Sequence, residues 1–320
     1  MKPSLKKFKE DFQNNLLDIH WKQWGCLGVA SQLEEEKRWI IDLEALLSST
    51  IFMGQFDKRL LSSAIEWANK YSEWINVSKL KRIGAAYYRA DEKLNVGLAA
   101  ENIYNLVENT IKKRRKVDSQ QIQEEVSHYD LSNEYRQVLE KFQIRGITTP
   151  PAVQKPSLLQ LWLRGFFGVN ARAEVLLYLL YKKQGSSNQI AGTIQFDQKI
   201  VYRILEKWSK AGFVEKERGR KYILANPNGF AKLLGHPVDK IKYLNWIETF
   251  LIFARIMKSL CIEPWASDSY LLSSLFRKIS EEIRDLSKET GVSFSESSLY
   301  KGEEYLSFFI NDILDTLNRL

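Results

Sequence analysis

Cysteine is nearly absent. The 320 residues hold two, Cys26 and Cys261, far apart and with no CxxC pair, which excludes a disulfide framework and a zinc ribbon and fits a reducing cytoplasm. Histidine is almost as scarce: His20, His128 and His236 are scattered, without HxxxH or HExxH spacing, so no metal is expected from them. His236 beside Pro237 reads as a turn residue. No GxSxG, Walker loop or GxGxxG occurs, and the glycines read as isolated helix stops and turns. The acidic runs Glu34, Glu35, Glu36 and Glu281, Glu282 read as solvated faces rather than paired catalytic carboxylates. Neither an enzyme nor a cofactor is expected.

Long apolar runs are missing too. The N-terminal MKPSLKKFKEDFQ is basic but lacks the apolar run of a signal peptide. The most apolar later stretch, Tyr243 to Ile262, contains Glu248, Arg255 and Lys258, which suits an amphipathic, core-facing helix better than a membrane span. A cytoplasmic protein without a membrane partner is the expectation. What the chain does have is packing material: 44% hydrophobic residues and nine tryptophans, enough for well-filled cores. Its length suits two or three domains of roughly 100–200 residues.

Residues 1–145 read as helical. Asp42 caps a helix through Leu43, Leu46, Leu47, Ile51 and Phe52 that stops near Gly54. Asp57 opens a second, through Leu60, Leu61, Ala64, Ile65, Trp67 and Ala68, and Asn76 or Ser78 a third, through Leu80 and Ile83. A longer helix follows from Asn95 through Leu98, Ile103, Leu106, Val107 and Ile111, ending in five consecutive basic residues, Lys112 to Lys116. That run suits either a solvated helix end facing the macrodipole or a second phosphate-contact patch. Residues 146–157, with Pro150, Pro151 and Pro156, read as a linker between domains.

The stretch from Ala171 to Ala225 carries the most information. Leu176, Leu177, Leu179 and Leu180 give a first helix an apolar face. Ser187 stands where an N-cap is wanted, before a short helix with Ile190, Ala191 and Ile194. After Gln195 and Phe196, Asp197 caps a further helix expected to bury Ile200, Val201, Ile204, Leu205 and Trp208 and to end at Gly212. Phe213 to Glu217 and Lys221 to Ala225, joined through Arg218, Gly219 and Arg220, read as a hairpin. Ahead of this, Leu158 to Phe167 reads as a lead-in helix packing through Leu159, Trp162 and Leu163.

This order resembles the winged helix-turn-helix of MarR- and ArsR-like transcription regulators, on Ile190, Ala191, Ile194, Phe196, Val201 and Ile204, the inner-face spacing of that motif. One departure is Gln195, at the turn position usually held by glycine; there a non-glycine residue would need an unusual backbone angle or a wider turn. The resemblance implies a second helix lying in the major groove of double-stranded DNA. Gln198, Lys199, Tyr202, Arg203 and Glu206 remain once the inner face is assigned; Gln suits adenine edges, Arg suits guanine, and Lys and Tyr suit phosphates. Lys207 extends the same basic face, and Lys216, Arg218, Arg220 and Lys221 would supply a wing that grips the neighbouring backbone. Charge agrees: residues 170–226 hold eleven Lys or Arg against five acids, an excess of six out of the whole chain's +8.

Beyond the hairpin, Asn226 to Gly229 reads as a turn, and Val238–Cys261, Ala266–Glu289 and Lys301–Leu320 as three helices forming an antiparallel unit. Their stripes, and the ENIYNLVENT segment, leave room for a small-molecule or protein effector that the sequence does not identify. The expected fold is mainly α: a central winged helix-turn-helix at 158–235 with a small β-hairpin wing, flanked by helical domains at 1–145 and 236–320. The expected function is a sequence-specific DNA-binding transcription regulator acting as a homodimer. A winged helix that docks a protein partner without reading DNA is the alternative, and an enzyme or RNA-processing factor with a site built from scattered acids the more distant one.

Overall fold

The computed structural model describes residues 5–89, 144–217, 219–234, 241–262 and 265–320, with isolated positions 105, 109, 120 and 123. Most of the helix expected from Asn95, the basic run Lys112 to Lys116, His128, Arg218 and the His236–Pro237 turn lie outside the described residues.

Aspartates and asparagines start most of the helices. After α1 (Leu5–Cys26), Asp42 caps α2 (Leu43–Met53), accepting from the Ala45 N–H at 3.0 Å, and Asp57 caps α3 (Lys58–Lys70) through the Arg59 and Leu60 N–H groups. Asn76 accepts from the Lys79 N–H at the start of α4 (Val77–Arg89). Each short polar side chain satisfies amide groups that the first helical turn leaves without partners. α2 is buried on nearly all sides, and α1, α3 and α4 pack around it, as expected of a helix without a polar face.

Residues 146–157 are laid against the N-terminal helices. The Thr149 N–H donates to the Gly28 carbonyl at 2.8 Å, and Lys70 Nζ donates to the Thr148 carbonyl at 2.7 Å. Gly28, at φ +92°, has the Thr149 carbonyl oxygen only 2.4 Å from where a Cβ would sit, so the crossing tolerates no side chain. Glu36 differs from the expected solvated face: it is 5% exposed, its carboxylate accepting from the Arg38 and Trp39 N–H groups.

Next come α5 (Leu159–Phe167) and α6 (Ala171–Lys182), then β1 (Gln184–Ser186), α7 (Ser187–Ile194), α8 (Gln198–Lys210), β2 (Val214–Glu217) and β3 (Lys221–Leu224). The strands make a three-stranded antiparallel sheet in the order β1-β3-β2, with Gly185 opposite Tyr222 and Val214 opposite Leu224. β1 was not expected. Asn226 to Gly229 is a helix start, not a turn: Asn226 accepts from the Gly229 N–H and Pro227 occupies the first position of α9 (Pro227–Leu234), where its missing N–H costs nothing.

The last segment contains α10 (Trp246–Ser259), α11 (Ser269–Glu282), α12 (Arg284–Thr290) and α13 (Glu304–Arg319). These do not close on themselves as a separate three-helix unit. α10 packs on α2, α13 packs on α1 and α11, and one apolar core runs from Phe8, Trp24, Leu46 and Trp67 to Phe250, Phe276 and Phe309. The described residues within 5–89 and 241–320, which fall in ranges read from sequence as separate flanking domains, thus share a core. A second core joins α5 to α8 and the sheet through Leu163, Leu176, Ile190, Val201 and Tyr222. No helix among the described residues is long and apolar enough to cross a membrane.

His20 sits inside the larger core, Nδ1 against the Leu16 carbonyl at 2.7 Å, Nε2 against Ser49 Oγ at 2.9 Å, its ring 4.9 Å from Phe250. Burial holds its pKa down at about 4, below the ordinary 6.5, despite the carbonyl partner. The unfolded chain therefore binds one more proton than the folded one between those values, and His20 removes stability as pH falls from 6.5 to 4. The full linkage is about 3 kcal/mol. His20→Gln is expected to flatten the dependence of urea-unfolding free energy on pH across that window, relative to the unmodified chain; equal slopes would refute the buried neutral imidazole.

Candidate nucleic-acid interface

The α7–α8 pair is built from local bonds that fix its angle. Ser186, one residue before the expected Ser187, caps α7: its hydroxyl accepts from the Gln189 N–H at 3.2 Å, and Gln189 Oε1 accepts from the Ser186 N–H at 3.0 Å. The reciprocal box was readable as Ser-x-x-Gln. Gln195 ends α7 in the left-handed region, φ 55° and ψ 50°, so the residue in glycine's place does take the strained angle. It is held there: Nε2 donates to the Gly192 carbonyl at 2.8 Å, and its own carbonyl accepts from Arg82 Nη1 of α4 at 3.2 Å. Asp197 then caps α8, accepting from the Lys199 and Ile200 N–H groups. Gly185 lets β1 lie close under α7, because a Cβ there would meet Ile190 and Tyr178 at 2.9 Å.

Only part of the expected inner face of α8 is inside. Val201, Ile204 and Leu205 are buried against Ala191 and the α6 side chains. Trp208 is half-buried and Ile200 is 46% exposed. At about 100° per residue, Ile200 falls on the flank of the helix rather than on the stripe of Val201 and Leu205. Lys199, Tyr202, Arg203 and Lys207 are exposed, and Gln198, also exposed, donates from Nε2 to Ser187 Oγ at 2.9 Å. A groove of about 430 Å³ runs beside α8, lined by Asn170, Arg172, Ile200, Arg203, Lys207 and Trp208 among others.

The hairpin differs in detail from its expected role. Lys216 Nζ is 3.0 Å from Glu206 Oε1, and the Tyr222 hydroxyl donates to the same oxygen at 2.6 Å. These bonds lower the Glu206 pKa, with Tyr222 the larger cause. Lys216 is thus committed to a neighbour on α8. Arg220, exposed at φ 60°, and half-buried Lys221 stand at the tip of the hairpin; Arg218 lies outside the described residues. The structure therefore brings Lys199, Tyr202, Arg203 and Lys207 together on one helix, with Arg220 on the adjoining hairpin.

Under this unit lies a buried ionic cluster that the sequence did not suggest. Arg164 of α5 donates Nη1 and Nη2 to the two carboxylate oxygens of Glu44, both at 2.7 Å, and Nε to Glu174 of α6 at 3.1 Å. Its Nη1 also meets the Trp74 carbonyl. Lys79 of α4 is 2.6 Å from Asp42, 3.1 Å from Glu174 and 3.3 Å from Glu44. Gln160 bridges the Glu174 carboxylate and the Leu43 N–H. The Arg164, Lys79 and Glu44 side chains are fully buried. Burial alone would raise the Glu174 carboxyl, but the Lys79 ammonium and the Arg164 guanidinium hold it at about 2. Burial raises the Asp42 carboxyl in spite of Lys79, whereas the Arg164 guanidinium and Lys79 ammonium lower Glu44 against the same burial.

Removing one partner from such a network leaves uncompensated charge in the interior. Arg164→Leu, which leaves Lys79 as the one cluster cation facing Asp42, Glu44 and Glu174, is expected to cost about 3–5 kcal/mol in urea unfolding. A loss below about 1 kcal/mol, the scale of an exposed pair, would contradict the cluster's structural role.

No match to this chain is found among protein-family models, curated proteins or solved structures.

Proposed function

We propose that the protein is a sequence-specific DNA-binding transcription regulator whose α5–β3 region is a winged helix of the MarR/ArsR kind. The observation that carries this reading is the solvent-facing side of α8. Lys199, Tyr202, Arg203 and Lys207 are exposed along it, with no other element among the described residues covering them and with cationic Arg220 on the hairpin alongside. A helix in this setting fits the major groove with its N-terminal turns toward base edges. The order helix, strand, two crossed helices and hairpin, closed by a β1-β3-β2 sheet, supports the same assignment. So does the left-handed turn at Gln195.

In the proposed complex Arg203 reads guanine through its two-pronged guanidinium, while Lys199, Lys207, Arg220 and Lys221 neutralise phosphates. Gln198 is within the reading turn and is pre-positioned by Ser187. Lys216, paired with Glu206, contributes less than the sequence reading gave it. As a homodimer, two copies would address half-sites about 34–36 Å apart. One observation favours docking of a protein partner instead: Tyr202 and Phe213, at 44% and 50% exposed, add aromatic surface that suits protein interfaces.

The test uses a duplex selected from random sequence. Arg203→Ala is expected to weaken binding by about 1–3 kcal/mol and to relax preference at one position. Replacing Arg220 and Lys221 together by Ala is expected to weaken binding to all duplexes alike and to flatten the salt dependence by about one unit per lost phosphate contact. Unchanged affinity and preference in Arg203→Ala would remove this residue from recognition; tight, salt-insensitive binding of a protein with no duplex affinity would favour the docking module.

A further inference from the structure

We propose that Ile200 is a specificity-determining residue that reads the C5-methyl group of a thymine. This rests on the DNA-binding reading above and names one base that the same helix face selects. Ile200 is 46% exposed, whereas its neighbour Val201 is fully buried. An aliphatic side chain left in water at that position adds little to the core, and the groove beside it mixes apolar Ile204 and Trp208 with cations. Arg172, Arg203 and Lys207 line the groove beside it. Glu206 lines it too, but its carboxylate is occupied by Lys216 and Tyr222.

An exposed aliphatic group in the first turn of a helix that also carries exposed Lys199 and Arg203 is complementary to one surface in particular. In the major groove of B-DNA, phosphates flank the base edges, and the thymine methyl is the apolar feature among donors and acceptors. Ile200 lies in the first turn of α8, directly after the Asp197 cap, where a docked helix meets base edges. It precedes Arg203 by three residues, which is roughly 4.5 Å along a helix axis. One base step is roughly 3.4 Å. The thymine is therefore adjacent to, or one position removed from, the guanine that Arg203 contacts.

The experiment replaces each thymine of a selected duplex, one at a time, by deoxyuridine, which deletes only the methyl. Binding is measured for the full-length chain and for Ile200→Ala, with thermal unfolding to check that the variant is folded. At one thymine near the Arg203 guanine, the unmodified chain is expected to lose about fourfold in affinity, the effect of one buried methyl. Ile200→Ala is expected to bind the thymine and deoxyuridine duplexes equally there, and Ile200→Val to retain most of the discrimination. If no thymine is sensitive, or if Ile200→Ala keeps the same sensitivity, the inference is overturned while salt-dependent duplex binding leaves the DNA reading standing. Absence of any salt-dependent duplex binding overturns both.

Discussion

The buried guanidinium of Arg164 ties the molecule together. It reaches Glu44 on α2 with one fork and Glu174 on α6 with Nε, and Lys79 of α4 closes the ring from the other side. The pair α2 and α4 is thereby held to the pair α5 and α6, remote from it in sequence, in one geometry. Ion pairs of this kind are weak evidence for net stability, since desolvation offsets much of the attraction. What they do supply is direction: a carboxylate and a guanidinium in a dry interior tolerate few alternative arrangements. The cluster lies where the larger core of the flanks meets the smaller core of α5 to β3.

From that junction the constraint passes to the candidate interface. α4 carries both Lys79, inside the cluster, and Arg82, whose Nη1 reaches the carbonyl of Gln195. Gln195 is the left-handed residue between α7 and α8, so the body of the protein grips the turn that sets the angle of the outward helix. Asp197 and the Ser186–Gln189 box fix the helix starts locally. Long-range electrostatics set the position of the unit and short-range capping sets its internal shape. The outcome is a helix whose apolar side is anchored at Val201, Ile204 and Leu205 and whose cationic side stands free.

Much of this was legible in the chain because it is local. Asp42, Asp57 and Asp197 announce helix starts, and the spacing of Ile190, Val201, Ile204 and Leu205 gives the crossed pair its inner face. At Gln195 the sequence leaves an unusual angle or a wider turn open, and the chain takes the angle. Other features depend on partners remote in sequence. β1 is three residues, Gln184–Ser186, with no alternation of its own, and it exists because β3 pairs with it. Lys79, Arg164 and Glu174 look like ordinary surface charge until α2, α4, α5 and α6 meet. Ile200 reads as inward within the apolar spacing of its helix, but its phase puts it on the flank, where it is exposed. The shared core of the two ends was hidden for the same reason: amphipathic stripes say that a face is buried, not against which helix.

The account stands or falls on whether the free side of α8 meets a polyanionic duplex. The most direct measurement is the affinity of the full-length chain for one fixed duplex across a series of salt concentrations. Several lysines and arginines displacing counterions predict that the logarithm of the binding constant falls linearly with the logarithm of salt, with a slope of about −0.9 for each phosphate neutralised. Binding that does not change with salt, or no binding at the lowest salt, would contradict it.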